Sequence, residues 1–352
     1  MKLHKRLAGL GLALALCLST ALPALAQEPA ETISGTAFYR STLTTVENTV
    51  SYIYREEWFR GDPAQADPGL ASLSMTLAAS ATYGETAVAL LEDLGFQAKA
   101  LHFKDFTEEN TAYTVGSKQL ADGTPLVVIV PQADGYYGAG WAQNFRVGET
   151  GDHAGYAQAV QAILEEITVP DGAVIWVVGY SRGAGIANVL AARLTELGKG
   201  KVFAYTFAAP NTTDAPEAAG EEYENIHNYR DPRDPVALVP PAAWGFVPYG
   251  TVEELGTDEE ELLPMLERLN ASAAAGYRRH PAEKTVAGLT VEDFLGEALE
   301  ALVGIIPSRE DYVTPRQGAD GQELPSYEKT LTGVLRTGMD TGLAETLHQL
   351  QA

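Results

Sequence analysis

The sharpest change of pattern along the chain falls between Val174 and Leu194. Val174 to Val178 is an unbroken apolar run, as in a strand buried on both faces, and it meets Gly179, Tyr180, Ser181, Arg182 and Gly183 without a spacer. Ile186, Val189, Leu190 and Leu194 then recur at helical spacing, while Ala184, Ala187 and Ala191 are small enough to let a helix approach a sheet closely. The pattern predicts a strand, a sharp turn and a helix, with a serine at the apex. Leu126–Val130 and Lys201–Phe207 read as two more buried strands and Asn225–Tyr229 as a shorter one, with a helix over Ala154–Ile167. This alternation across residues 125–230 predicts an α/β fold with a mostly parallel sheet and helices on both faces.

Toward the N-terminus the signals are weaker. Gln27–Gly35 reads as a short polar leader, Val50–Tyr54 as a strand, and Gly61–Asp67 as a turn. Leu70, Leu73 and Leu77 mark one face of a helix, and Glu85–Leu94 a second helix that Gly95 stops. Strands are expected over Ala98–Phe103 and Thr111–Lys118, and a turn over Ala121–Gly123. Pro131–Gly140 is a Gly-rich loop holding Tyr136 and Tyr137, followed by Trp141 and Asn144. From Thr251 onward helical patterns dominate: Glu259–Leu269, Val291–Ile305, Tyr327–Met339 and Leu343–Leu350. The expected organisation is a leader over 1–26, a core over 27–250, and a helical cap or C-terminal extension packed on the core over 251–352.

Residues 1–26 stand apart in composition. Lys2, Lys5 and Arg6 precede the apolar Leu7–Leu18, and Ala24, Leu25 and Ala26 form an A-x-A cleavage site before Gln27. This is the pattern of a secretory signal peptide, its apolar run being shorter than the roughly 18 to 20 residues of a membrane span. The expected location is extracellular, after cleavage near Ala26. Removing three basic residues and no acidic one moves the net charge from −23 to −26, and the single cysteine, Cys17, leaves too. A mature chain without cysteine forms no disulfide and offers no thiol nucleophile. Its negative charge argues against nucleic acid and anionic lipid surfaces as partners. No cluster of His and Cys suggests a metal, and no motif suggests a cofactor.

The serine at the apex gives the chain its candidate chemistry. In a G-x-S-x-G turn the glycines let a strained backbone expose the serine hydroxyl above the sheet. Such a hydroxyl needs a histidine to take its proton and a carboxylate to orient that histidine, in the chain order Ser, Asp or Glu, His. Asp234, just past the strand Asn225–Tyr229, is the favoured acid and Asp231 its competitor. His102, His153 and His227 precede the acid, which leaves His280 and His348. His280 is preferred because Pro281 biases it toward an extended, loop-like backbone. An oxyanion would be held by the amide of Arg182 and by one from Gln132 or Ala133. The Arg182 side chain is equally open to pairing with an acidic loop. Tyr136, Tyr137 and Trp141 either line an acyl or aryl pocket or pack on the core.

Together these stretches resemble the class 3 lipase family, particularly its bacterial lipase-like members. GYSRGAGIANVLAARL is similar to the family's elbow, AYTFAAPN to its following strand and loop, NYRDPRDPVALVP to its acid-bearing segment, and DHAGYAQAV to its His-x-Gly-aromatic helix start. Trp141 and Asn144 resemble its Trp-x-x-Asn pair. The resemblance implies an α/β-hydrolase fold and a secreted serine carboxylester hydrolase without a cofactor. It would cleave acyl esters or lipids through an acyl-enzyme on Ser181, with Asp234 and a histidine, and His153 would be structural. This chain departs from the family at Pro131, Gln132 and Ala133, where Arg-Gly-Thr is usual, and at Tyr180, where His is usual. A catalytically weak binding or surface protein on the same fold is the alternative, and a serine peptidase or amidase a third.

Overall fold

Strands with apolar side chains on both faces need cover on both sides, and that requirement sets the layers of this molecule. The computed structural model describes residues 31–40, 47–104, 110–133, 139–232, 234–255, 285–286, 289–290, 301 and 303–338. The hairpin β1 (Thr32–Arg40) and β2 (Glu47–Arg55) comes first, then the helices α1 (Pro68–Ser80) and α2 (Gly84–Asp93). The antiparallel strands β3 (Gln97–Leu101), β4 (Tyr113–Gln119) and β5 (Pro125–Pro131) follow, then α3 (Ala139–Asn144) and α4 (Ala154–Glu166). Next come β6 (Ala173–Tyr180), α5 (Arg182–Leu197), β7 (Gly200–Phe207), β8 (Ile226–Arg230) and β9 (Thr251–Glu254). Further along lie α6 (Arg309–Val313) and α7 (Tyr327–Gly338).

Among the described residues β3 to β9 form a seven-stranded sheet in sequence order, parallel from β5 to β9. The mostly parallel α/β arrangement expected from the alternation is therefore present. Strand periodicity sorts the core into two layers. Val174, Trp176 and Val178 of β6 join Leu126, Val128 and Val130 of β5 and Phe203 and Tyr205 of β7 beneath α1 and α2. Ala173, Ile175 and Val177 face the other way, into α4 and α5, with Val127, Ile129, Val202 and Ala204. Trp176 is wholly buried, and its indole Nε1 donates to Ser74 Oγ on α1 at 2.9 Å, so the largest core side chain also satisfies its one polar atom. Asp67 caps α1 by accepting from the amides of Gly69 and Leu70 at 2.8 and 2.9 Å.

Two elements differ from expectation. Thr32–Arg40 pairs with β2, its first residues falling where the polar leader Gln27–Gly35 was expected: of its inward positions Ile33, Gly35 and Ala37, only Ile33 is a large apolar residue, too little for a clear alternation. A Cβ on Gly35 would sit 2.4 Å from the Tyr52 hydroxyl that lies over it, so a larger residue there would have to displace that ring. Thr251–Glu254 is a strand rather than the start of a helical region, so the sheet runs past the expected boundary at residue 250. All four of its side chains are exposed, and it is held by hydrogen bonds to β8 rather than by apolar burial, which no apolar pattern announces. The expected helix Tyr327–Met339 is present as α7. Residues 1–26, Glu259–Leu269, Leu343–Leu350 and most of Val291–Ile305 lie outside the described residues.

The described part of the C-terminal region is pinned to the core by one buried cation. Arg309 donates to the carbonyls of Gly148, Gly151 and Val147 and to Asp214 Oδ2 at 2.6 Å, and its guanidinium lies over the Phe246 ring. Tyr312 donates to Phe145 O at 2.8 Å, Trp244 to Ile306 O at 2.9 Å, and Glu328 accepts from the Gly148 amide. Val147, Trp244, Phe246, Ile306 and Tyr312 form a small apolar cluster of their own. Among the described residues no helix is long and apolar enough to cross a membrane.

Candidate functional site

Strand β6 and helix α5 share no connecting loop, so one residue must make the whole turn. Ser181 does, at φ 53° and ψ −126°. A side chain held in this sparsely populated region costs on the order of 1–3 kcal/mol and persists only where its surroundings enforce it. The Ser181 amide donates to Phe207 O at 2.9 Å, and its carbonyl accepts from Ala184 and Gly185, the first turn of α5. The flanking glycines make that turn sterically possible. A Cβ on Gly179 would lie 2.4 Å from Gly183 O and 2.7 Å from the Ala184 Cα. Ser181 itself is half-buried at the N-terminus of a sixteen-residue helix, where amides and the helix dipole converge on any negative charge.

The end of β5 touches this turn. A Cβ on Gly183 would stand 2.6 Å from Pro131 O and 2.9 Å from Gln132 O. The amide of Arg182 and those of the residues after Pro131 therefore lie in adjoining backbone. The Gln132 amide already donates to Ala112 O at 2.9 Å, and its side-chain Nε2 donates to Thr82 O at 3.0 Å. Of the two residues named for the second oxyanion donor, Gln132 thus has its amide committed, and Ala133 beside it is buried. Tyr136 and Tyr137 lie outside the described residues. The Arg182 side chain turns inward: its guanidinium donates to Gln143 Oε1 on α3 and reaches Thr111 Oγ1 at 3.5 Å. Burial lowers its pKa to about 10, which leaves it cationic at neutral pH. Gln143 and Thr111 carried no signal in the sequence, since each is a lone polar residue far along the chain from Arg182.

The acid candidates stand on the same edge of the sheet. Strands β6, β7 and β8 are parallel neighbours, so Ser181, Ala208 (φ 52°) and the Asp231–Asp234 loop all follow carboxyl ends of adjacent strands. Two strand spacings separate the serine turn from the acid loop, on the order of 10 Å. That gap suits an imidazole bridging a hydroxyl and a carboxylate. Asp234 is half-buried and opens a short 3-10 helix, Pro235–Leu238, by accepting from the Val236 amide at 2.9 Å. Its pKa is raised, chiefly by burial, with the charge of Asp231 adding to the effect and the Val236 bond and Arg230 opposing it. Arg230 ties the loop down, donating to Asn211 Oδ1 and Pro210 O at 3.1 Å.

The described histidines have other tasks. His153 is wholly buried, stacked on Tyr156 at 4.0 Å, and its Nε2 lies 3.1 Å from Asn144 O as donor. Burial pushes its pKa down to about 3, so it is neutral and unsuited to shuttle protons at neutral pH. His227 is buried against Pro63 O, and His102 meets Glu166 and Asn110. His280 and His348 lie outside the described residues. The rim of the edge is apolar: Tyr180, Val236, Leu238 and Val239 are all exposed.

The family model described as lipase (class 3) matches residues 96–244, from the residue before β3 through the acid loop to Trp244. Among solved structures, a fungal lipase–inhibitor complex aligns at 17% identity over 54% of this chain and 79% of its own, with a TM-score of 0.41. The triacylglyceride lipase of Rhizomucor miehei aligns at 18% over 54% and 80%, TM-score 0.38. The lipase of Rhizopus microsporus var. chinensis aligns at 15% over 62% and 86%, TM-score 0.37. Among curated proteins no sequence matches the chain.

Proposed function

We propose that this chain, whose residues 96–244 match the family model described as lipase (class 3) and whose described strands form a mostly parallel sheet between helices, is a secreted serine carboxylester hydrolase working through an acyl-enzyme on Ser181. The observation that carries the proposal is the turn itself. A serine at positive φ, wedged between two glycines that tolerate no Cβ and set at the head of α5, is a costly arrangement with a use in nucleophilic attack. In this reading a histidine, His280 by preference and His348 otherwise, takes the proton as Ser181 Oγ attacks the ester carbonyl. Asp234 holds the imidazolium, with Asp231 the alternative. The amides of Arg182 and Ala133 hold the tetrahedral oxyanion. The ester C–O bond then breaks as the imidazolium gives its proton to the departing alkoxide, the alcohol leaves, and water, deprotonated by the same imidazole, attacks the acyl-enzyme to release the carboxylic acid and restore Ser181. Cleavage after Ala26 would release the mature chain outside the cell.

The test is to incubate the chain with a fluorophosphonate probe and with p-nitrophenyl esters of increasing acyl length, beside Ser181→Ala. Hydrolysis and labelling that both vanish in Ser181→Ala are expected. No labelling and no turnover at any chain length would reject the enzyme reading. His280→Ala should lose activity and His348→Ala keep it, and the reverse result would move the base to His348. Mass determination of the exported protein checks the start at Gln27.

A catalytically weak protein on the same fold is favoured by one observation. The Gln132 amide is committed to Ala112, so the oxyanion rests on fewer donors beside β5 than a Thr-bearing loop would offer. Turnover at least a hundredfold below that of efficient esterases, with normal Ser181 labelling, would support that reading.

A further inference from the structure

Two buried amides that the mechanism above does not use join the helix that follows Ser181 to the strand that precedes the acid loop. Asn188 sits on α5, two turns beyond Ser181, and is wholly buried; Asn228 sits on β8, three residues before Asp231, and is 1% exposed. Asn188 Nδ2 donates to Asn228 Oδ1 at 2.9 Å and to Tyr249 O at 2.8 Å. Asn188 Oδ1 accepts from Thr212 Oγ1 at 2.6 Å and from the Tyr249 amide at 3.0 Å. Asn228 Nδ2 donates to Tyr249 O at 2.8 Å and Thr251 O at 2.9 Å, while its Oδ1 also accepts from Thr206 Oγ1 at 2.6 Å. Each amide thus has two donors and two lone pairs, and every one of them is used. Turning either amide over would set donors against donors, so the orientation of both is fixed by the network.

Apolar residues of the same volume would fill this space without needing a set of matched partners. What the amides add is geometry, because each hydrogen bond fixes a distance and a direction where apolar contact tolerates sliding. The network joins the helix that carries Ser181, strand β7 through Thr206, the strand that leads to Asp231 and Asp234, the Tyr249–Thr251 run, and Thr212 in the loop after β7. That loop also holds Pro210 and Asn211, the partners of Arg230 at the end of β8. We infer that Asn188 and Asn228 are positioning residues that set the distance between nucleophile and acid, an inference that rests on the hydrolase reading of Ser181. Neither touches substrate. They act by holding the carboxylate where the bridging imidazole needs it, and a displacement of about 1 Å at such a site can cost on the order of a hundredfold in rate.

The experiment measures the rate of Ser181 phosphonylation and the kcat and KM for a p-nitrophenyl ester in Asn188→Leu, Asn228→Leu, the double variant, Thr206→Val and Thr206→Ser, each checked for folding by thermal unfolding. The expected result is a fall of roughly 10- to 100-fold in kcat and in labelling rate for the folded leucine variants, with KM within about threefold of the parent. Thr206→Val should be slowed and Thr206→Ser should recover. A folded double variant that labels and turns over at the parent rate overturns the inference and leaves the hydrolase reading intact. Should the leucine variants fail to fold, parental rates in both Thr206 variants overturn it instead. A parent protein that does not label at Ser181 rejects the hydrolase reading, and this inference with it, before any variant is compared.

Discussion

Gly183 lies against the carbonyl of Pro131, so close that a Cβ on it would stand 2.6 Å from that oxygen. The first turn of α5 and the end of β5 are therefore packed backbone to backbone, and the spacing of the proposed oxyanion donors depends on the absence of one methyl group. Gly183→Ala should push the helix from the strand, destabilise the fold by about 1–3 kcal/mol and slow Ser181 labelling at least tenfold. Paired measurements of unfolding midpoint and fluorophosphonate labelling check it. An alanine variant with parental labelling would show that the contact has no part in the site.

The raised pKa of Asp234 has a sign that can be tested. Its folded-state pKa is above the unfolded value, so the folded state binds more protons in the window between them and stability falls as pH rises through it. Above the folded pKa the full penalty of ionisation is present. Asp234→Asn keeps an oxygen to accept from the Val236 amide and removes the charge. The variant should be at least as stable as the parent at pH 7, lose that advantage below about pH 3.8, and have no esterase activity. Urea unfolding at the two pH values, with an ester assay, decides it.

His153 carries the opposite sign. Its folded-state pKa is held near 3, well below the 6.5 of a free imidazole, so acidification protonates the unfolded chain first. The stability this gives is complete above pH 6.5 and is lost as pH falls toward 3, by about 2 kcal/mol between pH 7 and pH 5. His153→Gln keeps a donor for Asn144 O and does not titrate. Its stability should change by about 2 kcal/mol less than the parent's over that interval, as read from urea midpoints at each pH.

Arg309 is the clasp between the C-terminal segment and the loop over Val147–Gly151. Arg309→Met keeps much of the stem's packing and deletes the bonds to three carbonyls and to Asp214. A loss of about 2 kcal/mol is expected, below the cost at a fully buried pair because Asp214 is partly exposed. Differential scanning calorimetry of the two proteins measures it. An unchanged midpoint would show that the packing of Tyr312 and Ile306 holds the segment alone.

The parts legible in the sequence were those with a steep physical gradient. Val174–Val178, Leu126–Val130 and Lys201–Phe207 read as buried strands because both faces are apolar. Ser181 stood out because glycines and a strand–helix switch meet at one residue. The hairpin strand Thr32–Arg40 did not, since its inward side is Ile33, Gly35 and Ala37, and neither did Thr251–Glu254, which buries no side chain. The site was hardest to read where polar residues meet across long separations. Nothing local to Gln143 or Thr111 marks them as the partners of Arg182, nor Asn228 as the partner of Asn188.

The strand Thr251–Glu254 has a further consequence. Among the described residues it is an edge strand of the seven-stranded sheet, and an edge is an open template for pairing with another chain. The last strand ends in Glu253 and Glu254, short, exposed and negatively charged on a strongly acidic protein. A second molecule approaching that edge would bring like charges together, which opposes edge-to-edge pairing there.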